Sequence, residues 1–318
     1  MTTAGSGVTA YPLVTVVIPN YNCGRFLADA VDSVLQQTYT RCEIVVVDDG
    51  STDDSRDVAR RYGDRLRVVT QANQGVSAAR NTGIAHARGE LVAFLDADDL
   101  WKPEKLARQV PLFANPAVGI VYCGLEYVDE SLRPLGTNLT GRRGRVLREI
   151  ALLRGTVVLA GGSTAVARRV CFDEAGGFDR EMSTAADWDM WRRIACRWEV
   201  DVVREPLMRY RMRPASMHRN IAVFEHDMLH GFAQMFADPA AREVWPLRRR
   251  AYANLYLMLS GSHLEAGHTG QAIAYAWRSI AWSPASLGYI AALPWRRLRR
   301  TLGANEAHLA DTALKFEA

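Results

Sequence analysis

The sequence predicts an α/β fold: a mostly parallel central sheet flanked by helices, followed by a helical C-terminal appendage. Three observations predict it. Short β-branched runs alternate with helical patterns through the first hundred or so residues, polar residues collect where each run ends, and the pattern turns helical beyond about residue 220.

The runs LVTVVIP (Leu13 to Pro19), EIVVVDD (Glu43 to Asp49), RLRVVTQ (Arg65 to Gln71) and ELVAFLD (Glu90 to Asp96) are hydrophobic enough to be strands covered on both faces. Between the first two, Phe26, Leu27, Ala30, Val31, Val34 and Leu35 recur at helical spacing. STDDSRDVARRYG offers a Ser/Thr cap, an acidic first turn and a terminal Gly63, and SAARNTGIAHARG a third helix ending near Gly89. Strands joined by helices of this length imply right-handed parallel crossovers. GIVYCGLEYVD reads as a further strand. The Gly/Arg-rich GTNLTGRRGRVLREI reads as a solvated loop, with an acceptor-phosphate contact as the alternative.

Composition sets bounds on the rest. The 318 residues are 48% hydrophobic, enough for one large core plus a smaller helical region. The net charge of +4 is concentrated late in the chain, at Arg248, Arg249, Arg250, Arg296, Arg297, Arg299 and Arg300. Five scattered cysteines without a Cys-x-x-Cys pair point to reduced thiols. The N-terminus lacks signal-peptide character, and no apolar run approaches the roughly 20 residues of a membrane span. The expected location is cytoplasmic, with any membrane contact peripheral.

In such sheets, ligands bind beyond the carboxyl ends of the strands. PNYN (Pro19 to Asn22), DDGS (Asp48 to Ser51), NQG (Asn73 to Gly75) and DADD (Asp96 to Asp99) follow the four runs. Any one alone is ordinary turn chemistry; four along one edge make a site. No Gly-x-Gly-x-x-Gly follows the first strand and no P-loop is present, which disfavours a dinucleotide fold and excludes a Walker site. Asp96 and Asp98, two apart on an extended chain, project to the same side. A hard divalent cation, Mg²⁺ or Mn²⁺, bridging a nucleotide diphosphate is the simplest relief for their repulsion.

VTVVIPNYNCGRFLADAVDSVLQQTY, EIVVVDDGSTDDS, NQGVSAARNTGIAHARGELVAFLDADDLWKPEKL and GGFDREMSTAADWDMWRRI resemble, in order and spacing, the motifs of family 2 glycosyltransferases with the GT-A fold. The resemblance runs from about Val14 to Asn220. It implies a catalytic domain over 13–220, after a flexible 1–12 and before a helical region over 221–318. Pro19 and Tyr21 would pack around the donor base and Asp48 would hydrogen-bond it. Gly75 would allow close backbone approach, Arg80 would lie near the base and phosphates, and Asp96, followed by Ala97, would hold the ribose. Asp98 would ligate the metal, with His218 offered as a further ligand. Asp49 is expected to be a cap or turn residue and Asp99 to support the site from behind or order its loop, and Gly161, Gly162 and Ser163 to line the acceptor side.

Inverting transfer needs a carboxylate on the acceptor side to take the hydroxyl proton. AADWDMWRR matches the family's base segment, making Asp187 the candidate and Asp189 the alternative; Ala186 stands where the family usually has glutamate. Asp187 also reads as a plain helix-start carboxylate. Arg211, Arg213 or His218 are candidates to fold over the diphosphate. The Gln-x-x-Arg-Trp motif of processive members is absent, favouring transfer of one sugar. The implied partners are a nucleotide diphosphate sugar, UDP-sugar first, and a saccharide or lipid-linked saccharide; nucleic acid is not expected. Two rivals remain at this point: a sugar-phosphate nucleotidyltransferase, which would usually carry a glycine-rich basic loop where PNYNCG stands, and a non-catalytic sugar-nucleotide binding module.

Near the end, RRRAYANLYLMLSGSHLEAGHTGQAIAYAWRSIAWSPAS reads as two helices joined by EAGHTGQ, similar to one tetratricopeptide-like hairpin. SLGYIAALPWRRLRR then couples an apolar stretch to arginines; it reads equally as a docked surface helix or as a contact with the inner face of the plasma membrane.

Overall fold

The computed structural model describes residues 11–155, 157–159, 161–213, 220–288 and 290. Residues 1–10, His218 and the arginines from 296 to 300 lie outside the described residues. The chain divides into two compact units, one of Met1–Val146 with Val157–Pro214, the other of Leu147–Thr156 with Ala215–Ala318.

In the first unit, β1 (Val14–Asn20), β2 (Cys42–Asp49), β3 (Arg67–Gln71) and β4 (Leu91–Phe94) run parallel in the order β3-β2-β1-β4. The helices α1 (Gly24–Leu35), α2 (Ser55–Arg60) and α3 (Val76–Ala85) make the crossovers. β1 and β4 are buried throughout, as their apolar runs require. β3 differs from expectation: it is the edge strand, so its side chains alternate between half-buried and exposed. α2 is also shorter than its sequence suggested. Asp53 accepts the Ser55 N–H (3.1 Å) and the Gly24 N–H (2.9 Å), so residues 51–54 form a turn tied to α1 instead of a first helical turn.

Beyond β4 the sheet becomes mixed. β8 (Val166–Arg168) is antiparallel to both β4 and β6 (Val118–Val128). β9 (Glu199–Arg211) runs parallel to β6 and antiparallel to the two-residue β5 (Leu100–Trp101). β7 (Pro134–Asn138), in the connection read as a loop, hairpins back onto β6. The register of β5 on β9, Leu100 opposite Arg209 and Trp101 opposite Met208, carries the end of β9 back to the Asp96–Asp99 turn. Across more than a hundred residues of sequence, that pairing joins two halves of the site.

The helices behind this edge are held by buried polar groups as well as by apolar packing. On α4 (Lys105–Gln109), Lys105 donates to Gln109 Oε1 (2.7 Å), and Gln109 Nε2 donates to the carbonyls of Val121 and Thr164 (2.9 Å each). Burial lowers the Lys105 ammonium to about 8. α6 (Arg169–Ala175) and α7 (Ala186–Ala195) close over β4 through Phe94, Phe172, Phe178 and Trp191, whose ring centroids lie 5.3–6.4 Å apart.

Asp189, the alternative base, is fully buried inside α7. It accepts from Arg192 Nη2 (2.7 Å) and Arg193 Nε (2.8 Å), so its carboxylate is committed to its own helix. Removing it would take the carboxylate from a buried ion pair with Arg192, so Asp189→Ala is expected to destabilise the first unit by about 3–5 kcal/mol. Urea denaturation followed by tryptophan fluorescence checks this, and an unchanged midpoint would refute the structural role.

The second unit is helical: α5 (Leu147–Ala151), α8 (Ile221–Met235), α9 (Arg248–Glu265) and α10 (Thr269–Trp282). α9 and α10 form the expected antiparallel hairpin. Ser260 Oγ donates to the Ala272 carbonyl (2.7 Å), Ser279 Oγ to that of Ala253 (2.8 Å), and Tyr252 stacks on Trp282 at 4.7 Å. Among the described residues no helix is long and apolar enough to cross a membrane.

Candidate active site

The site is built along the carboxyl edge of β1, β2 and β4. Register pairs Asn20 with Asp48 on neighbouring strands, and both side chains are buried. Asp48 Oδ2 accepts from Arg56 Nε (2.7 Å), whereas Asp48 Oδ1 and Asn20 Oδ1 are buried without a protein partner. Buried acceptors are normally satisfied, so these two are suited to the N–H groups of a ligand. Pro19 is buried in β1; Tyr21, just past it, is 51% exposed, an accessible aromatic face beside the orphan acceptors. Asp49 ties the turn before α3, accepting the N–H groups of Gln74 (3.0 Å) and Gly75 (2.8 Å). Gly75 caps α3 at φ +88°, a conformation open to glycine, with nothing within 4 Å of where a Cβ would stand.

The Asp96–Asp99 turn carries the charge. Arg80 Nη2 pairs with Asp96 Oδ1 (2.9 Å), so the structure places this arginine against the Asp96 carboxylate. Ala97 is buried. Asp99, also buried, accepts the Ser163 hydroxyl (2.7 Å) and the Arg211 N–H (3.0 Å), while Ser163 Oγ accepts the Asp96 N–H (3.1 Å). Burial first, and then the charges of Asp98 and Asp96, hold the Asp99 carboxyl well above its usual range. Asp98 is raised by burial and by Asp96, against the pull of Arg213. An all-oxygen set of crowded, partly desolvated carboxylates has the chemistry that suits a hard divalent cation.

Asp187 is presented on the first turn of α7, its Oδ1 accepting the Trp188 N–H (2.8 Å). Two latches from α3 hold the loop before it: Asn81 exchanges hydrogen bonds with the Phe178 backbone (2.7 and 2.8 Å), and Ser77 donates to the Met182 carbonyl (2.7 Å). Burial raises the Asp187 carboxyl, with Arg80 opposing and Asp96 adding to the rise. Asp187, Arg80, Asp96 and Asp98 thus form one electrostatic cluster. Gly161 closes against this carboxylate: at φ +55°, a Cβ on it would stand 2.2 Å from Asp187 Oδ2.

Several residues singled out in the sequence take other roles in the structure. Ser163 is buried and orders the Asp96–Asp99 turn with its hydroxyl instead of lining the acceptor side. Arg211 cannot fold over a diphosphate: it is buried, with its guanidinium on the Asp98 carbonyl (2.9 Å), the Glu130 carbonyl (2.8 Å) and Asp29 Oδ2 (2.9 Å). Arg213, two residues on, meets Asp98 Oδ2 at 2.6 Å. The α3 latches are what the sequence reading missed, and the signal that could have found them is that Ser77 and Asn81 share a helical face at i, i+4.

Two curated relatives are named uncharacterized glycosyltransferases. One, from Nostoc sp., is 50% identical over 120 residues, covering 36% of this chain and 37% of its own length. The other, from Rickettsia typhi, is 33% identical over 212 residues, covering 65% of this chain and 66% of its own. The match therefore spans only part of each relative. Among solved structures, the mannosyltransferase PcManGT of Pyrobaculum calidifontis, in complex with GDP-Man and Mn²⁺, superposes with a TM-score of 0.63 at 24% identity, over 94% of this chain and 89% of that one. S. aureus TarS 1–349 in complex with UDP-GlcNAc gives 0.61 at 17% identity, over 84% and 91%. These two likenesses bear on the fold, which is GT-A. The family model described as glycosyl transferase family 2 matches residues 15–176, and that stretch contains β1 to β4, the Asp96–Asp99 turn and Ser163; the chain belongs to glycosyl transferase family 2.

Proposed function

We infer that the protein transfers a single sugar, with inversion, from a nucleotide diphosphate sugar to a saccharide or lipid-linked saccharide, using Mg²⁺ or Mn²⁺. One observation carries the reading: Asp98 and Asp187, 89 positions apart, both feel the charge of Asp96, with Arg80 between Asp96 and Asp187. A binding module would need the first carboxylate but not the second.

The donor base would lie against Tyr21, with Asp48 Oδ1 and Asn20 Oδ1 accepting its N–H groups, and the ribose would meet Asp96. A divalent cation held by Asp98 would offset negative charge on the departing diphosphate. As the acceptor oxygen bonds to the anomeric carbon and the bond to the diphosphate breaks, the hydroxyl proton passes to Asp187. Its raised carboxyl makes it a stronger base than an exposed aspartate once ionised.

Thermal shift against UDP-, GDP- and dTDP-sugars, with and without Mn²⁺, tests the donor half. One donor, UDP-sugar first, is expected to raise the midpoint in a Mn²⁺-dependent way, by about 2.7 kcal/mol of stabilisation at a hundredfold excess over Kd. Asp98→Asn is expected to lose the Mn²⁺-dependent part and keep its own midpoint. An equal Mn²⁺-dependent shift in the variant would remove Asp98 as the metal ligand.

A further inference from the structure

Arg211 and Arg213 lie at the same strand end and do different things. Arg211 clamps the main chain of the turn, through the Asp98 carbonyl and the backbone N–H it gives to Asp99. Arg213 reaches the Asp98 carboxylate itself, Nη2 to Oδ2 at 2.6 Å, with both side chains largely buried (23% and 19% exposed). Its guanidinium also lies 5.3 Å from the Phe26 ring centroid and hydrogen-bonds the Cys23 side chain. Arg211 divides its guanidinium between the Asp98 and Glu130 carbonyls and the Asp29 carboxylate, outside the Asp98 side chain. Arg213 instead neutralises the Asp98 carboxylate, whose charge burial and Asp96 disfavour.

We propose that Arg213 is a resident competitor for the cation at Asp98 and a positioning residue that yields this carboxylate to the metal only when a nucleotide diphosphate arrives with it. The inference rests on Asp98 being the metal ligand. A divalent ion on Asp98 would stand within a few ångströms of the guanidinium, and two positive charges in so desolvated a place repel strongly. A metal arriving alone must displace Arg213 from its carboxylate partner. A diphosphate supplies oxygens that suit an arginine fork, so the displaced guanidinium gains a partner where negative charge develops. Metal and donor then assist one another beyond their direct contact, a coupling that is reciprocal by linkage.

The test is Mn²⁺ binding to the full chain, by calorimetry, with no nucleotide and then with saturating UDP or GDP. Arg213→Gln is expected to bind Mn²⁺ alone at least about 5-fold tighter than the wild type, and the tightening produced by the nucleotide is expected to shrink by a similar factor. Damage to the fold would weaken metal binding, so a gain in affinity separates competition from a structural role. Arg213→Lys retains the charge and is expected to stay within about twofold of the wild type; a lysine variant that gains as much as glutamine overturns the proposal. So does a glutamine variant whose Mn²⁺ affinity is unchanged or lower while the wild type binds Mn²⁺ with nucleotide. Should the wild type bind no Mn²⁺ even with UDP or GDP, the metal assignment of Asp98 falls first and this inference with it.

Discussion

Replacing Asp187 with asparagine is expected to lower sugar transfer by about 10²-fold or more while leaving donor binding intact. Asparagine retains the size of the side chain and an oxygen for the Trp188 N–H, and removes only the proton acceptor. The pH profile adds a second signature. Asp187 must be ionised to act, and burial raises its carboxyl above the ordinary aspartate value of about 3.9. Transfer should therefore fall, as pH drops, at a higher pH than an exposed aspartate would give, and the variant should lack that limb. Stability moves the other way. A carboxyl raised on folding contributes stability that is fully present below its unfolded value and is lost as pH rises through the folded one, so at neutral pH the charged Asp187 is a burden. Asp187→Asn is expected to be at least as stable as the wild type, unlike Asp189→Ala. A transfer assay and a denaturation curve on the same variant decide the matter, and wild-type turnover would remove Asp187 as the base.

Gly161→Ala is expected to reduce transfer by roughly 10²-fold, the scale on which a misplacement of about 1 Å acts at a reacting centre. The added methyl would stand 2.2 Å from Asp187 Oδ2, so either the carboxylate or the turn must shift. Positive φ adds a backbone penalty of about 1–2 kcal/mol. That penalty alone is reproduced by Gly176→Ala, at the end of α6, where φ is +84° and nothing lies within 4 Å of the new methyl. Both variants are expected to lose some stability, but only Gly161→Ala to lose turnover with Mn²⁺-dependent donor binding retained. Equal turnover in the two would show that Gly161 is conserving a backbone shape and nothing more.

The parts of the site that could be read from the sequence are local. Asp96 and Asp98 are two apart at the end of an apolar run, and that much is local; the strand stops at Phe94, however, and residues 96–99 form a turn closed by the Asp99 N–H on the Asp96 carbonyl (3.0 Å), so the alternation of an extended chain does not set their directions. Asp49 could be assigned to a cap or turn because its partners, the N–H groups of Gln74 and Gly75, begin the helix after the next strand in a regular crossover unit. Composition could not separate Asp187 from Asp189, both acidic residues in the first half of one helix. The distinction is burial: Asp189 faces Arg192 and Arg193 within α7, while Asp187 faces the Arg80–Asp96 pair across it.

By itself, the sequence determined the alternation of strands and helices in the first half, the edge at which polar residues gather, and the helical hairpin near the end. Each follows from hydrophobic period and turn chemistry over a dozen residues or fewer. Only the tertiary structure decided which arginine clamps the Asp98 main chain and which meets its carboxylate, that Ser163 bridges Asp96 and Asp99, and that Gly161 closes on Asp187. These depend on the pairing of β5 with β9 and of β4 with β8, whose paired residues lie 73 to 109 positions apart. No local pattern encodes such a register, because it is set by how two sheet halves pack on a shared core.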